Sequence, residues 1–262
     1  MSYRGAVVDL DGTVYRGGTL IPGAAAGLDA LRAAGVEVAA VSNDPTRSPT
    51  AFVERLAGMG LTIEPERVVA AGTVTAAFLT REYPEARLFV VGSSGLEAQF
   101  RAAGCALTDD PLGTDVLVAS YDRGFDYDRL TVALRAIEAG AAFVGTDPDR
   151  TIPGPDGPVP GSGAIVRAVA GVTDREPDRV LGKPSAETAS AVARTLGVDP
   201  AGCLLIGDRL DTDIAMGERE GMTTALVLTG VADRADLDDA TVQPDHVLDS
   251  LGEVGTLLDE GT

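Results

Sequence analysis

Short apolar runs alternate with stretches of helical periodicity along the whole chain, and that alternation restricts the fold more than any other feature. The apolar runs predict strands over 5–8, 37–41, 68–70, 88–91, 116–119, 142–145, 179–181, 203–206 and 224–228. Between them the spacing predicts helices over 23–34, 49–59, 73–81, 95–103, 127–139, 164–170, 186–196 and 212–220. A mostly parallel sheet with helices on its faces is the arrangement that accommodates such an order. One segment interrupts it: residues 152–161, rich in Pro and Gly, read as a loop or tight hairpin. There is no internal repeat, and 262 residues suffice for a substantial core in one domain or two.

Composition removes several classes of function. A net charge of −19 repels nucleic acid and anionic lipid, and aromatics at 4 %, with no Trp, leave few surfaces on which bases or sugars could stack. No run reaches the ~18 apolar residues that a membrane span requires, and the N-terminal residues lack a signal-type apolar region, so a cytoplasmic location is expected. Cys105 and Cys203 lie in apolar surroundings without metal-ligand spacing and read as packing residues. Lys183 is the only lysine among 21 basic residues. With Asp exceeding Glu, this pattern resembles that of salt-adapted proteins, whose self-repulsion is screened at high ionic strength. An ordinary acidic enzyme is the alternative.

Chemistry is concentrated where apolar runs end. Asp9-Leu10-Asp11-Gly12-Thr13 follows the first predicted strand. Alternation along a strand puts Asp9 and Asp11 on one side, and ligands bind at the carboxyl ends of strands in open α/β sheets. Two adjacent carboxylates need a cation or a shared proton, and a divalent metal is the simplest answer. Gly12 permits a sharp turn that brings N–H groups to an anion, and Thr13 adds a hydroxyl and an amide. The same five residues also suit an Asx-type turn.

Three other strand ends carry polar groups. Ser42-Asn43-Asp44 offers anion ligands or, read alone, a helix N-cap. Gly182-Lys183-Pro184-Ser185 places the one lysine at the start of a helix; a chain that uses Arg everywhere else needs a compact point charge there. Gly207-Asp208-Arg209-Leu210-Asp211-Thr212-Asp213 supplies a second acidic cluster. Acids at a helix N-terminus account for Asp211 but not for Asp208 at the strand terminus itself.

The order Asp-x-Asp-Gly-Thr, Ser-Asn, Lys, Gly-Asp-x-x-x-x-Asp resembles the haloacid dehalogenase superfamily over nearly the whole chain. Ser42 and Lys183 are 141 residues apart, so that interval holds an inserted domain, whereas the 33 residues from Asp9 to Ser42 leave no room for one. The placement resembles the NagD-like, p-nitrophenyl phosphatase-type branch, with its cap after the second motif. The resemblance implies a Rossmann-like, doubly wound parallel core over 1–72 and 179–262 and a smaller α/β cap over 73–178. It further implies a phosphatase for small phosphorylated metabolites, with Asp9 as nucleophile and Asp11 as general acid and base. Magnesium would be held by the Asp9 and Asp208 carboxylates and the Asp11 carbonyl, with Asp213 in the outer shell. Gly12, Thr13, Ser42, Asn43 and Lys183 would hold the phosphoryl group. Thr146, Asp147 and Asp149 match a cap segment that takes part in substrate selection, or form a plain strand-end turn; Arg123 and Arg150 are a further anion site or surface residues. Asp44 and Asp147 stand where the branch commonly has Asn, which adds negative charge.

A non-hydrolytic phosphoacceptor or a phosphometabolite-binding protein shares the same residue logic, and a homodimer is left open. A receiver module is much shorter, and a pumping ATPase needs membrane spans. A dinucleotide-binding dehydrogenase needs a glycine motif after a strand, whereas Gly161-Ser162-Gly163 follows a proline-rich loop. A serine hydrolase needs a Gly-x-Ser-x-Gly partner for His246, and none is present.

Overall fold

The structure is a computed structural model. It describes residues 3–154 and 157–259. The chain divides into two compact units, one formed by Met1–Ser42, Phe52–Val69 and Thr188–Thr262, the other by Asn43–Ala51 and Ala70–Glu187.

In the first unit, six strands lie in the order His246–Leu248, Thr223–Val227, Cys203–Gly207, Gly5–Asp9, Glu37–Ser42, Val68–Ala70. Gly5–Asp9 pairs in parallel with both neighbours, Val8 opposite Ile206 on one side and Ala40 on the other. These central strands are buried along their length, so they read as continuous apolar runs without a polar face. From Gly5–Asp9 the chain proceeds to one side of the sheet, and it later returns to build the other side outward from Cys203–Gly207. Strand order therefore reverses between these two, and the carboxyl ends on either side of that switch point form the usual ligand crevice of a doubly wound sheet. Asp9 closes one strand and Asp208 directly follows the other.

The second unit holds a five-stranded parallel sheet in the order Arg179–Val180, Ala142–Gly145, Val116–Ala119, Arg87–Val91, Ala106–Leu107. Phe89, Val91, Leu117, Phe143, Ile165 and Val169 form its core. The run at 179–181, expected to reopen the first sheet, instead pairs Arg179 with Val144 and Val180 with Gly145. The Pro/Gly-rich segment is a hairpin of Thr151–Gly154 and Gly157–Pro160; Pro155 and Asp156 lie outside the described residues. Met1 and Ser2, the start of the N-terminal stretch considered above, also lie outside them. Among the described residues, no helix is long and apolar enough to cross a membrane.

The predicted helix over 212–220 is split into a π-helical turn, Leu210–Ile214, followed by an α-helix, Ala215–Glu220. Such turns accommodate an extra residue and are frequent at functional sites. Here the turn carries Asp213, which is fully buried.

Candidate active site

Within the first unit, the carboxylates of Asp9, Asp208 and Asp213 each bring an oxygen within 4.8 Å of the others. All three residues are at most 5 % exposed, so their charges are withdrawn from bulk water. Clustered buried anions of this kind need a cation, and an all-oxygen donor set is what a hard divalent ion takes. The backbone makes room for them. A Cβ on Gly207 would stand 2.2 Å from Asp213 Cγ, and one on Gly12 would stand 2.4 Å from Asp208 Oδ2. Gly12 also has φ +95°, a left-handed conformation that suits glycine. Asp213 Oδ2 accepts the Arg209 N–H at 3.2 Å, which fastens the π-helical turn to its own start.

Asp11 is half-buried, and its side chain is not one of the three clustered carboxylates. Asp213 is one of them. Thr13 and Ser42 are buried, and the Thr13 hydroxyl has no hydrogen-bond partner among the described residues.

The second unit gathers the other predicted residues around the lysine. Lys183 is 2 % exposed. Asn43 Oδ1 accepts the Lys183 N–H at 2.6 Å, while Asn43 Nδ2 donates to the Lys183 carbonyl at 3.2 Å and to Asp149 Oδ1 at 3.3 Å. Gly182, at φ +69°, permits this approach: a Cβ there would meet Asn43 Oδ1 and Asp147 Cβ, both at 2.8 Å. Asp147 receives the Thr146 hydroxyl at 3.0 Å and the Asp149 N–H at 3.2 Å, and Thr146 shares a 2.8 Å hydrogen bond with Ser120. Burial pushes the Asp147 carboxyl well above the usual carboxylate range, and the charge of Asp149 adds to it; hydrogen bonds from Ser162, Thr146 and Asp149 offset only part. Asp44 accepts from the N–H and hydroxyl of Thr46 and pairs with Arg47, so its extra charge is met within its own loop. Arg123 and Arg150 are exposed.

Sequence reasoning missed one segment altogether. The Val231 N–H donates to Asp208 Oδ2 at 2.7 Å, and the Thr229 hydroxyl donates to the Gly12 carbonyl at 2.6 Å. The first contact is made by main chain, which leaves no side-chain pattern to find.

The family described as haloacid dehalogenase-like hydrolases matches residues 6–106, and the HAD-hydrolase-like family matches residues 180–254. The chain is 36 % identical to the sugar-phosphatase AraL of Bacillus subtilis, over 100 % of this chain and 95 % of that protein. It is 33 % identical to the dihydroxyacetone phosphatase of Corynebacterium glutamicum, over 97 % and 91 % of the two chains. Among solved structures, the p-nitrophenyl phosphatase from Archaeoglobus fulgidus superposes with a TM-score of 0.91 at 36 % identity, covering 98 % of this chain and 100 % of that one. NagD from E. coli superposes with a TM-score of 0.85 at 26 % identity, covering 97 % and 98 %.

Proposed function

The chain belongs to the haloacid dehalogenase-like hydrolases, and from that premise we propose that it is a magnesium-dependent phosphatase working through an aspartyl phosphate. Its substrates in this reading are small phosphomonoesters. The observation that carries the proposal is the meeting of three buried carboxylates at the switch point of the first sheet. Relatives named for sugar and dihydroxyacetone phosphatase activity support a small phosphorylated substrate.

Asp9 and Asp208 would hold the metal with the Asp11 carbonyl, and Asp213, in the same acidic group, would serve in the outer shell. Magnesium, when bound, would offset the gathered negative charge so that a carboxylate can approach a phosphate dianion. The Asp9 carboxylate attacks phosphorus, the bond to the ester oxygen breaks, and Asp11 protonates the departing alkoxide. Asp11, now ionised, takes a proton from water; the water oxygen bonds to phosphorus, the acyl phosphate bond breaks, and Asp9 returns as a carboxylate. Gly12, Thr13, Ser42 and Lys183 hold the phosphoryl oxygens as charge develops, and Asn43 sets the Lys183 main chain. The second unit, which holds residues 73–178 and also the Arg179–Val180 strand, acts as the cap, with Thr146, Asp147 and Asp149 selecting the substrate. A cytoplasmic location and a salt-adapted surface complete the reading.

Phosphate release from a panel of phosphomonoesters with Mg²⁺, at low and high KCl, tests it. Wild type is expected to turn over and Asp9→Asn to be inactive. Equal rates refute the mechanism, and labelling without turnover marks the phosphoacceptor alternative. A melting temperature that rises with KCl supports salt adaptation, and a flat profile contradicts it.

A further inference from the structure

The loop after the Thr223–Val227 strand has no role in the scheme above, yet it touches both acidic motifs of the first unit. Leu226 pairs with Gly207, so the continuing chain is delivered beside Asp208. There the Val231 N–H donates to Asp208 Oδ2 at 2.7 Å and the Ala232 N–H to the Asp208 carbonyl at 3.0 Å. One residue earlier, Gly230 lies so close that a Cβ would stand 1.8 Å from Asp208 Oδ2 and 2.3 Å from its Cγ. No side chain fits. Thr229 reaches the other motif, its hydroxyl donating to the Gly12 carbonyl at 2.6 Å. Arg16, in the hairpin that follows the Asp11-Gly12 turn, donates to the carbonyls of Thr229 and Gly230 and so holds the loop on that side. The flanking Leu228 and Ala232 pack against Ile214 and Leu226, whereas Val231 is 49 % exposed and meets the site through its N–H.

We propose that Thr229-Gly230-Val231 is the positioning element of the metal site, fixing the Asp208 carboxylate through the Val231 N–H and the nucleophile turn through Thr229. The proposal rests on the reading that Asp208 is a metal ligand. Groups that orient ligands in this way typically change metal affinity by about 10–100-fold when lost. Gly230→Ala must move either the loop or the carboxylate, and either shift breaks the Val231 bond. Thr229→Val removes the bond to Gly12 at nearly constant volume, and Thr229→Ser keeps the hydroxyl.

Mn²⁺ binding to the full chain, followed by the electron paramagnetic resonance of the free ion, separates the outcomes. Asp208→Asn serves as control, and melting of the metal-free proteins checks folding. Gly230→Ala and Thr229→Val are expected to bind Mn²⁺ about tenfold or more weakly than wild type, with Thr229→Ser restoring wild-type affinity. If Gly230→Ala does not fold, the Thr229 pair decides. Wild-type affinity in both Gly230→Ala and Thr229→Val, with binding lost in Asp208→Asn, overturns the proposal and leaves the metal site standing. Absence of Mn²⁺ binding by wild type, or wild-type affinity in Asp208→Asn, overturns the metal reading and the proposal with it.

Discussion

Asn43 grips the main chain of Lys183 at both ends, accepting its N–H at 2.6 Å and donating to its carbonyl at 3.2 Å. One amide thereby fixes the peptide groups from which the only lysine of the chain projects.

In the proposed mechanism Asn43 acts through Lys183. Asn43→Leu is expected to lower kcat by about 10²-fold, on the scale of one oxyanion-stabilising group. In a Lys183→Met background the same change should cost little more, since residues that act as a unit are not additive. Steady-state rates of the two single variants and the double variant check this. Losses that multiply would show instead that Asn43 meets the substrate independently.

Gly207 governs the placement of Asp213. A methyl group there would stand 2.2 Å from Asp213 Cγ in a fully buried strand end, so Gly207→Ala has to displace the acid or the π-helical turn. Overpacking of this kind costs about 1–3 kcal/mol. The metal-free variant should melt several degrees lower than wild type, and Mg²⁺ should raise its melting point less. A melting point and a Mg²⁺ response equal to those of wild type would contradict this placement of Asp213.

Two carboxylates of the second unit give stability opposite dependences on pH. Asp147 is raised by burial and by Asp149, so its neutral form favours the fold. Its contribution is complete below the unfolded value of 3.8 and is lost as pH rises through the higher folded value. Burial also pushes Asp178 upward, but the Phe143 N–H and Arg175 together outweigh it and hold the group below 3.8. Its contribution is present above 3.8 and disappears as pH falls through the folded value. Urea unfolding of metal-free protein across pH should show Asp147→Asn losing the decline on the alkaline side and Asp178→Asn losing the decline on the acid side. Unchanged pH profiles in both variants would contradict the assignments.

What was legible in the sequence follows from the range of the interactions involved. Val116–Ala119 and Ala142–Gly145 coincide with their predicted runs because strands buried on both faces show as unbroken apolar stretches. Ala186–Leu196 does so because one face of the helix is buried at helical spacing. The ribbon of Tyr15–Arg16 and Thr19–Leu20 was missed, since two residues a side are too few for a period. Nothing in 179–181 discloses that its partner is Ala142–Gly145, because pairing depends on residues distant in the chain. The π-helical turn brings Asp213 against Gly207, a contact between residues of different elements that periodicity does not register. Likewise Thr229-Gly230-Val231 carries no motif, for two of its three residues act through backbone or through the lack of a side chain. Of the predicted site residues, Asp9, Asp208 and Asp213 come together in the first unit and the group around Lys183 in the second, while the Asp11 carboxylate stands outside the acidic cluster.

In the proposed mechanism Asp9 carries the phosphoryl group and Asp11 serves the proton transfers. p-Nitrophenyl phosphate needs little help from an acid, because its leaving group is a weak base, whereas activation of water still needs Asp11. Acid-quenched mass spectrometry of Asp11→Asn mixed with p-nitrophenyl phosphate and Mg²⁺ isolates the first step. A phosphate adduct on Asp9 is expected, with burst release of about one nitrophenolate per chain and slow turnover after it, and no adduct in Asp9→Asn. An adduct elsewhere in the chain, or full turnover by Asp9→Asn, would contradict it.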